Sequence, residues 1–134
     1  MIPKFRAYDS GSLTRMYQPE EVMVCDGNIW IIDEDDVAGS WIVNNDLNLM
    51  QSTGLVDKNG KEIFEGDIIR YNIDVVDIKR HPTLGFYTVL DGREGFFGDG
   101  MSIDDFEEGA KEFSKTAEII GNIYENPELL EVVE

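Results

Sequence analysis

The chain has 134 residues, with 28 acidic and 11 basic side chains, a formal net charge of −17 and a single cysteine. This length can bury a core without metal or disulfide staples, the lone Cys25 excludes an intramolecular disulfide, and no apolar run approaches the roughly 20 residues of a membrane-spanning helix. Residues 1–46 hold 9 acids against 3 bases, 47–97 hold 8 against 6, and 98–134 hold 11 against 2, so neither end offers the basic footprint that a nucleic-acid backbone requires.

The elements follow in order. Lys4-Phe5-Arg6-Ala7-Tyr8 alternates as a half-buried strand does. Asp9-Ser10-Gly11-Ser12 turns the chain, and Leu13 to Tyr17 returns as a second strand that Pro19 ends, because proline cannot donate to a ladder. Glu21 to Cys25 and Asn28 to Ile32 flank Asp26-Gly27, a two-residue hairpin turn. The four like charges of Asp33-Glu34-Asp35-Asp36 belong on a loop. Trp41-Ile42-Val43 resumes the apolar pattern before Asn44-Asn45-Asp46 turns again.

The next stretch organises the rest. Asn59-Gly60 between Leu55/Val56 and Ile63/Phe64 predicts a tight hairpin of type I′. Glu65-Gly66-Asp67 then turns into the β-branched run Ile68 to Asn72. Asp74 to Thr83 carries little pattern and reads as an exposed loop, with Leu84 to Leu90 and Arg93 to Phe97 a hairpin around Asp91-Gly92 that offers Phe86, Val89 and Phe96 or Phe97 to the core. Ser102 and Asp105 make a capping signature, and Ile103, Phe106, Ala110 and Phe113 predict one amphipathic helix over Ile103 to Ser114. Ala117 to Tyr124 is the closing strand, and Asn126-Pro127-Glu128 opens a short helical turn. The fold class expected is mainly β (α+β): one domain over 1–134, with an antiparallel meander at 1–46, a small SH3-like barrel at 47–134 and one amphipathic helix.

Three of these segments carry a resemblance. Ile2-Pro3-Lys4-Phe5-Arg6-Ala7-Tyr8-Asp9, the stretch from Leu49 to Arg70, and Glu118 to Leu130 resemble the opening strand, signature segment and closing segment of the YopX family. These are small proteins encoded largely by phages and prophages of Gram-positive bacteria. The resemblance implies a mostly β fold and a phage setting, and brings no catalytic residue with it.

The candidate chemistry is sparse. Cys25 and His81 are the only thiol and imidazole, and nucleophilic catalysis needs them within hydrogen-bond reach with a third group orienting the base. Cys25 at the end of an apolar strand reads as a small buried hydrophobe, and His81 as a loop residue. Calcium loops place ligands at alternate positions around a glycine, whereas Val37 and Ala38 follow the Asp33–Asp36 run, so a solvated loop is expected there. Asp104-Asp105 and Glu107-Glu108 complement a helix dipole. Gly95, Gly98 and Gly100 surround Asp99, and an anion inside the loop argues against a phosphate cradle and for turns. Trp30, Trp41, Tyr71, Phe86 and Tyr87 lack interleaved bases and are expected mostly in the core.

No catalytic, cofactor-binding or metal-ligating residue is assigned, and no cofactor is expected. The leading expectation is a non-enzymatic phage or prophage protein that works by protein contact, with a protein partner or a further copy of itself. The start Met1-Ile2-Pro3-Lys4 lacks the apolar run of a signal peptide, so residence in the bacterial cytoplasm, off the membrane, is expected. Two alternatives are an acidic DNA mimic that occupies a host nucleic-acid-binding protein, and a metal-dependent hydrolase built on Asp67, Asp99 and Asp104. Direct nucleic-acid binding through Lys58, Lys61, Arg70, Lys79, Arg80 and Arg93 is opposed by the overall field.

Overall fold

The computed structural model describes residues 4–11, 14–33, 35, 37–71, 73–83, 85–90, 93–96 and 111–130, of which 90 and 93–96 are described for the backbone alone. Thirteen strands lie among these residues, all paired antiparallel where a register is defined. The chain divides into two units, Met1–Ser52 and Thr53–Glu134.

In the first unit, β1 (Phe5–Asp9) lies between β2 (Arg15–Tyr17) and the start of β6 (Asn48–Val56), with Ala7 opposite both Tyr17 and Leu49. The turn from β1 is held by the Asp9 carboxylate, which accepts the Gly11 amide at 2.8 Å. After Pro19 the chain makes a single 3₁₀ turn, Pro19–Glu21, that had no sequence prediction. Glu21 secures it by accepting the Gln18 amide with one oxygen and pairing with Arg15 through the other. The Arg15 guanidinium also lies 4.4 Å from the centroid of the Tyr17 ring. β3 (Val22–Cys25), β4 (Asn28–Ile32) and β5 (Trp41–Val43) form the expected meander. Asp26 and Gly27, at φ 53° and 76°, make the type I′ turn between β3 and β4. Ala7, Tyr17, Val22, Ile31 and Leu47 form this unit's core.

In the second unit, β7 (Glu62–Phe64) pairs with β6 across the signature turn. β8 (Asp67–Tyr71) lies between β9 (Asp74–Asp77) and β13 (Glu118–Asn122), while β11 (Gly85–Leu90) lies between β10 (Lys79–His81) and β12 (Arg93–Phe96). Residues 111–116 are α-helical and Pro127–Leu130 form a 3₁₀ turn. Ile63, Ile69, Ile78 and Ala117 make the core, each at most 1% exposed, and Phe86, Phe113 and Ile119 pack against it. Burying an isoleucine of this kind contributes roughly 1.5–3 kcal/mol relative to leaving it exposed. Tyr71 stacks on Phe113 with centroids 5.4 Å apart, which fixes the helix at 111–116 against β8.

Four readings of the sequence are corrected. Asp74 to Thr83 is two strands and a turn, because the buried Ile78 and the half-buried Val76 anchor β-branched side chains on the core between charged residues. The signature turn is of type I with a glycine bulge, because Gly60 alone has positive φ (79°) while Asn59 does not. Cys25 is exposed, since β3 turns its last three residues to solvent. His81 lies half-buried on β10, where its Nδ1 accepts the Thr83 amide. Phe86 packs on the core as expected, whereas Val89 is 38% exposed. Phe97, the Asp91-Gly92 turn, Ser102, Asp105 and most of the helix expected over Ile103 to Ser114 lie outside the described residues, as does the Phe96 side chain.

Candidate functional site

The signature turn is built on one buried carboxylate. Asp57, 2% exposed, accepts the amides of Asn59 and Lys61 on Oδ1 at 2.9 Å each, and that of Ile119 on Oδ2 at 3.1 Å. Burial pushes its carboxyl up, but the amides of Ile119, Lys61 and Asn59 and the charge of Lys61 outweigh that and hold it below the usual carboxylate range. The Lys58 amide donates to the Ala117 carbonyl at 2.8 Å, so the loop is fastened to the start of β13 at two points.

This fastening places Lys58 beside Glu118 (3.6 Å), which also meets Arg70 across the β8–β13 ladder (3.4 Å). Lys58, Arg70, Glu118, Lys115 and Thr116 line a cavity of about 290 Å³. Lys115, 3.5 Å from Glu112 on the same helix, also lines a second cavity of about 360 Å³ with Gly54, Leu55, Val56, Lys111 and Ser114. Three cations line the first cavity, two of them meeting Glu118 and the third Glu112, a local excess of positive charge on a strongly acidic chain. Such an arrangement can hold an anion. Sequence reasoning singled out Lys58 and Arg70 but missed Lys115, Thr116 and Glu118. The available signal was that Lys111 and Lys115, the only bases in the last third, stand four residues apart in a helical segment.

In the first unit, the meander has two unlike faces. The register aligns Val22, Ile31 and Ile42 on one side and Met23, Trp30 and Val43 on the other. Val22 and Ile31 enter the core, so Met23, Trp30 and Val43, together with the Ile32 and Trp41 pair, look away from it. Met23 is 40% and Val43 43% exposed, and at the edge strand Ile42 on the other side is 43% exposed as well, so the faces are told apart by register and by the burial of Val22 and Ile31. β5 closes the sheet as an edge. Asp33 donates to Ser40 and Asn44 to Ile29, which makes those flanking pairs hydrogen-bonded, and so by alternation Ile31 with Ile42. The N–H groups of Trp41 and Val43 therefore point outward along the edge.

The remaining candidates are placed one by one where they are described. Cys25 ends β3 in the first unit and His81 ends β10 in the second. Asp33 accepts the Asp35 amide within its own loop, and Glu34 and Asp36 lie outside the described residues. Asp67 is buried and accepts the Phe64 amide at 2.8 Å, a structural role. Asp99, Asp104-Asp105, Glu107-Glu108, Gly98 and Gly100 lie outside the described residues, and Gly95 pairs opposite Thr88. Among the described residues no three His, Cys, Asp or Glu side chains could hold a metal ion, and no helix is long and apolar enough to cross a membrane. Lys79 pairs with Asp77 at 3.0 Å and Arg80 with Glu65 at 3.3 Å. Lys61 is exposed beside the Asp57 turn, and the Arg93 side chain is not described. Trp30, Trp41, Tyr71, Phe86 and Tyr87 are all half-buried rather than fully enclosed.

Comparison with protein families matches the YopX protein model over residues 4–131. Among solved structures, the chain is similar to the crystal structure of protein EF1440 from Enterococcus faecalis, with 29% identity, a TM-score of 0.60, and coverage of 98% of this chain and 99% of that one. A search of curated proteins finds no match.

Proposed function

The chain belongs to the YopX family, and from that premise we propose that it is a non-enzymatic interaction module that binds an extended segment of a protein partner along β5. The observation that carries this reading is the outward-facing apolar row of Met23, Trp30 and Val43, which ends on an open strand edge. An added strand would take its main-chain hydrogen bonds from Trp41 and Val43 and seat alternate side chains on the row. The net charge of −17 favours a basic partner and speeds its encounter. A host nucleic-acid-binding protein is one such partner, and a phage or prophage origin with residence in the host cytoplasm suits that role. We also read the strands of 47–134 as a small SH3-like barrel.

The test compares tagged wild-type protein with Met23→Glu and Val43→Pro variants, each exposed to host lysate at low salt and eluted with a salt step. The expected result is one basic protein captured by the wild type, released by moderate salt and lost with both variants. Equal capture by all three would overturn the reading, as would capture that salt does not weaken. Recovery of only the protein itself would replace the heterologous partner with a second copy.

A further inference from the structure

We propose that the two cavities sharing Lys115 form a binding site for a small phosphate monoester with an apolar body. The phosphate occupies the cavity of Lys58, Arg70 and Lys115, and the body lies against Gly54, Leu55 and Val56. The site is separate from the β5 edge and stands or falls independently of it.

Charge is the first argument. Across the two cavities Lys58, Arg70, Lys111 and Lys115, set against Glu118 and against the Glu112 that pairs with Lys115, leave a local charge of +2 in a chain that carries −17. A phosphate monoester carries about −1.5 to −2 near neutral pH, so the ligand matches what the protein leaves uncompensated. Availability is the second. The contacts of these cations with Glu118 and Glu112 are long, at 3.6, 3.4 and 3.5 Å, beyond the usual span of a charge-assisted hydrogen bond. Arg70 and Lys115 are also more than half exposed. Such surface pairs cost little to exchange for a ligand. By contrast, Lys79 meets Asp77 at 3.0 Å. Thr116 already donates its hydroxyl to the Glu112 carbonyl at 3.1 Å, so recognition rests on the cations, with the Arg70 fork able to take two phosphate oxygens.

Shape is the third argument. The two are open surface grooves of about 290 and 360 Å³, comparable in volume with the smallest of the roughly 300–1,000 Å³ small-molecule sites, so a compact ligand fits them. The second offers Leu55, Val56 and the methylene stems of Lys111 and Lys115, a surface suited to an aromatic ring or short aliphatic group.

Isothermal titration of the full chain at low salt provides the test, with phenyl phosphate, adenosine monophosphate, inorganic phosphate and adenosine as probes. Saturable binding of at least one organic phosphate is expected, tighter than inorganic phosphate, with adenosine not bound. Preference for adenosine monophosphate over phenyl phosphate would identify a nucleotide as the natural source, and the reverse a simpler aryl phosphate. Arg70→Gln and Lys115→Gln should each weaken binding about tenfold, and Glu118→Gln should strengthen it. Val56→Ser should weaken phenyl phosphate while leaving inorganic phosphate unchanged. These positions are exposed or half-buried, and an unchanged circular dichroism spectrum would show that each variant folds. Absence of saturable binding, or binding indifferent to Arg70→Gln and Lys115→Gln, would overturn the assignment. Equal affinity for inorganic and phenyl phosphate would remove the apolar compartment from it.

Discussion

The Asp57 carboxylate accepts the amide of Ile119, a residue 62 positions further along the chain, at 3.1 Å. The same side chain closes its own turn through Asn59 and Lys61. One buried carboxylate thus couples a local hairpin to the closing strand. Asp57→Asn would turn an amide donor toward one of these N–H groups and is expected to cost about 2–3 kcal/mol, measured as a lower urea midpoint.

The pH dependence follows from the same contacts. The folded-state carboxyl of Asp57 titrates below its ordinary value, so its contribution is fully present above the unfolded value of about 3.9 and is lost as the pH falls through the lower, folded one. Urea midpoints measured from neutral pH downward should show wild-type stability falling in that acid window. The Asp57→Asn series should lack this component, and parallel curves for the two proteins would refute the account.

The signature turn makes a sharp distinction between neighbours. Gly60 sits at φ 79° and Asn59 at negative φ. Gly60→Ala is therefore expected to cost about 1–2 kcal/mol, and Asn59→Ala only a few tenths. A type I′ turn would penalise both substitutions, so chemical denaturation of the pair separates the two geometries.

Gly121 lies at the irregularity where β13 shifts register against β8. A Cβ there would lie 2.6 Å from Asn126 Oδ1 and 2.9 Å from Asn126 Cβ, while that same Oδ1 accepts the Asn122 amide at 3.3 Å. Gly121→Ala should lose about 1–3 kcal/mol. Asn126→Gly, which removes every clashing atom, should recover part of that loss in the double variant, so the two changes should be non-additive in a thermodynamic cycle.

Met23→Glu on the outer face of the meander should change stability by no more than about 0.5 kcal/mol, because the side chain is already 40% exposed. Thermal unfolding checks this. A larger loss would mean that Met23 supports the fold rather than a partner.

Several features of this protein follow from residues close together in the chain. Asp26-Gly27 alone specifies the type I′ turn, alternation alone marks β1, and Asn126-Pro127 alone announces the terminal 3₁₀ turn. In each, the determining forces act over a few residues: steric limits on φ, a missing amide hydrogen, or a period of two. The YopX membership was legible for a related reason, since three ordered segments carried it.

Other features depended on partners that the local sequence does not name. Asp74 to His81 looked like a loop because its charges obscure the pattern, and only packing of Val76 and Ile78 into the second core made it strands. Asn59-Gly60 carried the signal of one turn and adopted another, because the Asp57 carboxylate preceding it accepts the amides of both Asn59 and Lys61 and is itself held by Ile119. The cavity of Lys58, Arg70 and Lys115 combines a turn, a strand and a helix end. Charges brought together by long-range strand pairing have no signature in a single window of sequence, and here tertiary structure alone decided their meeting.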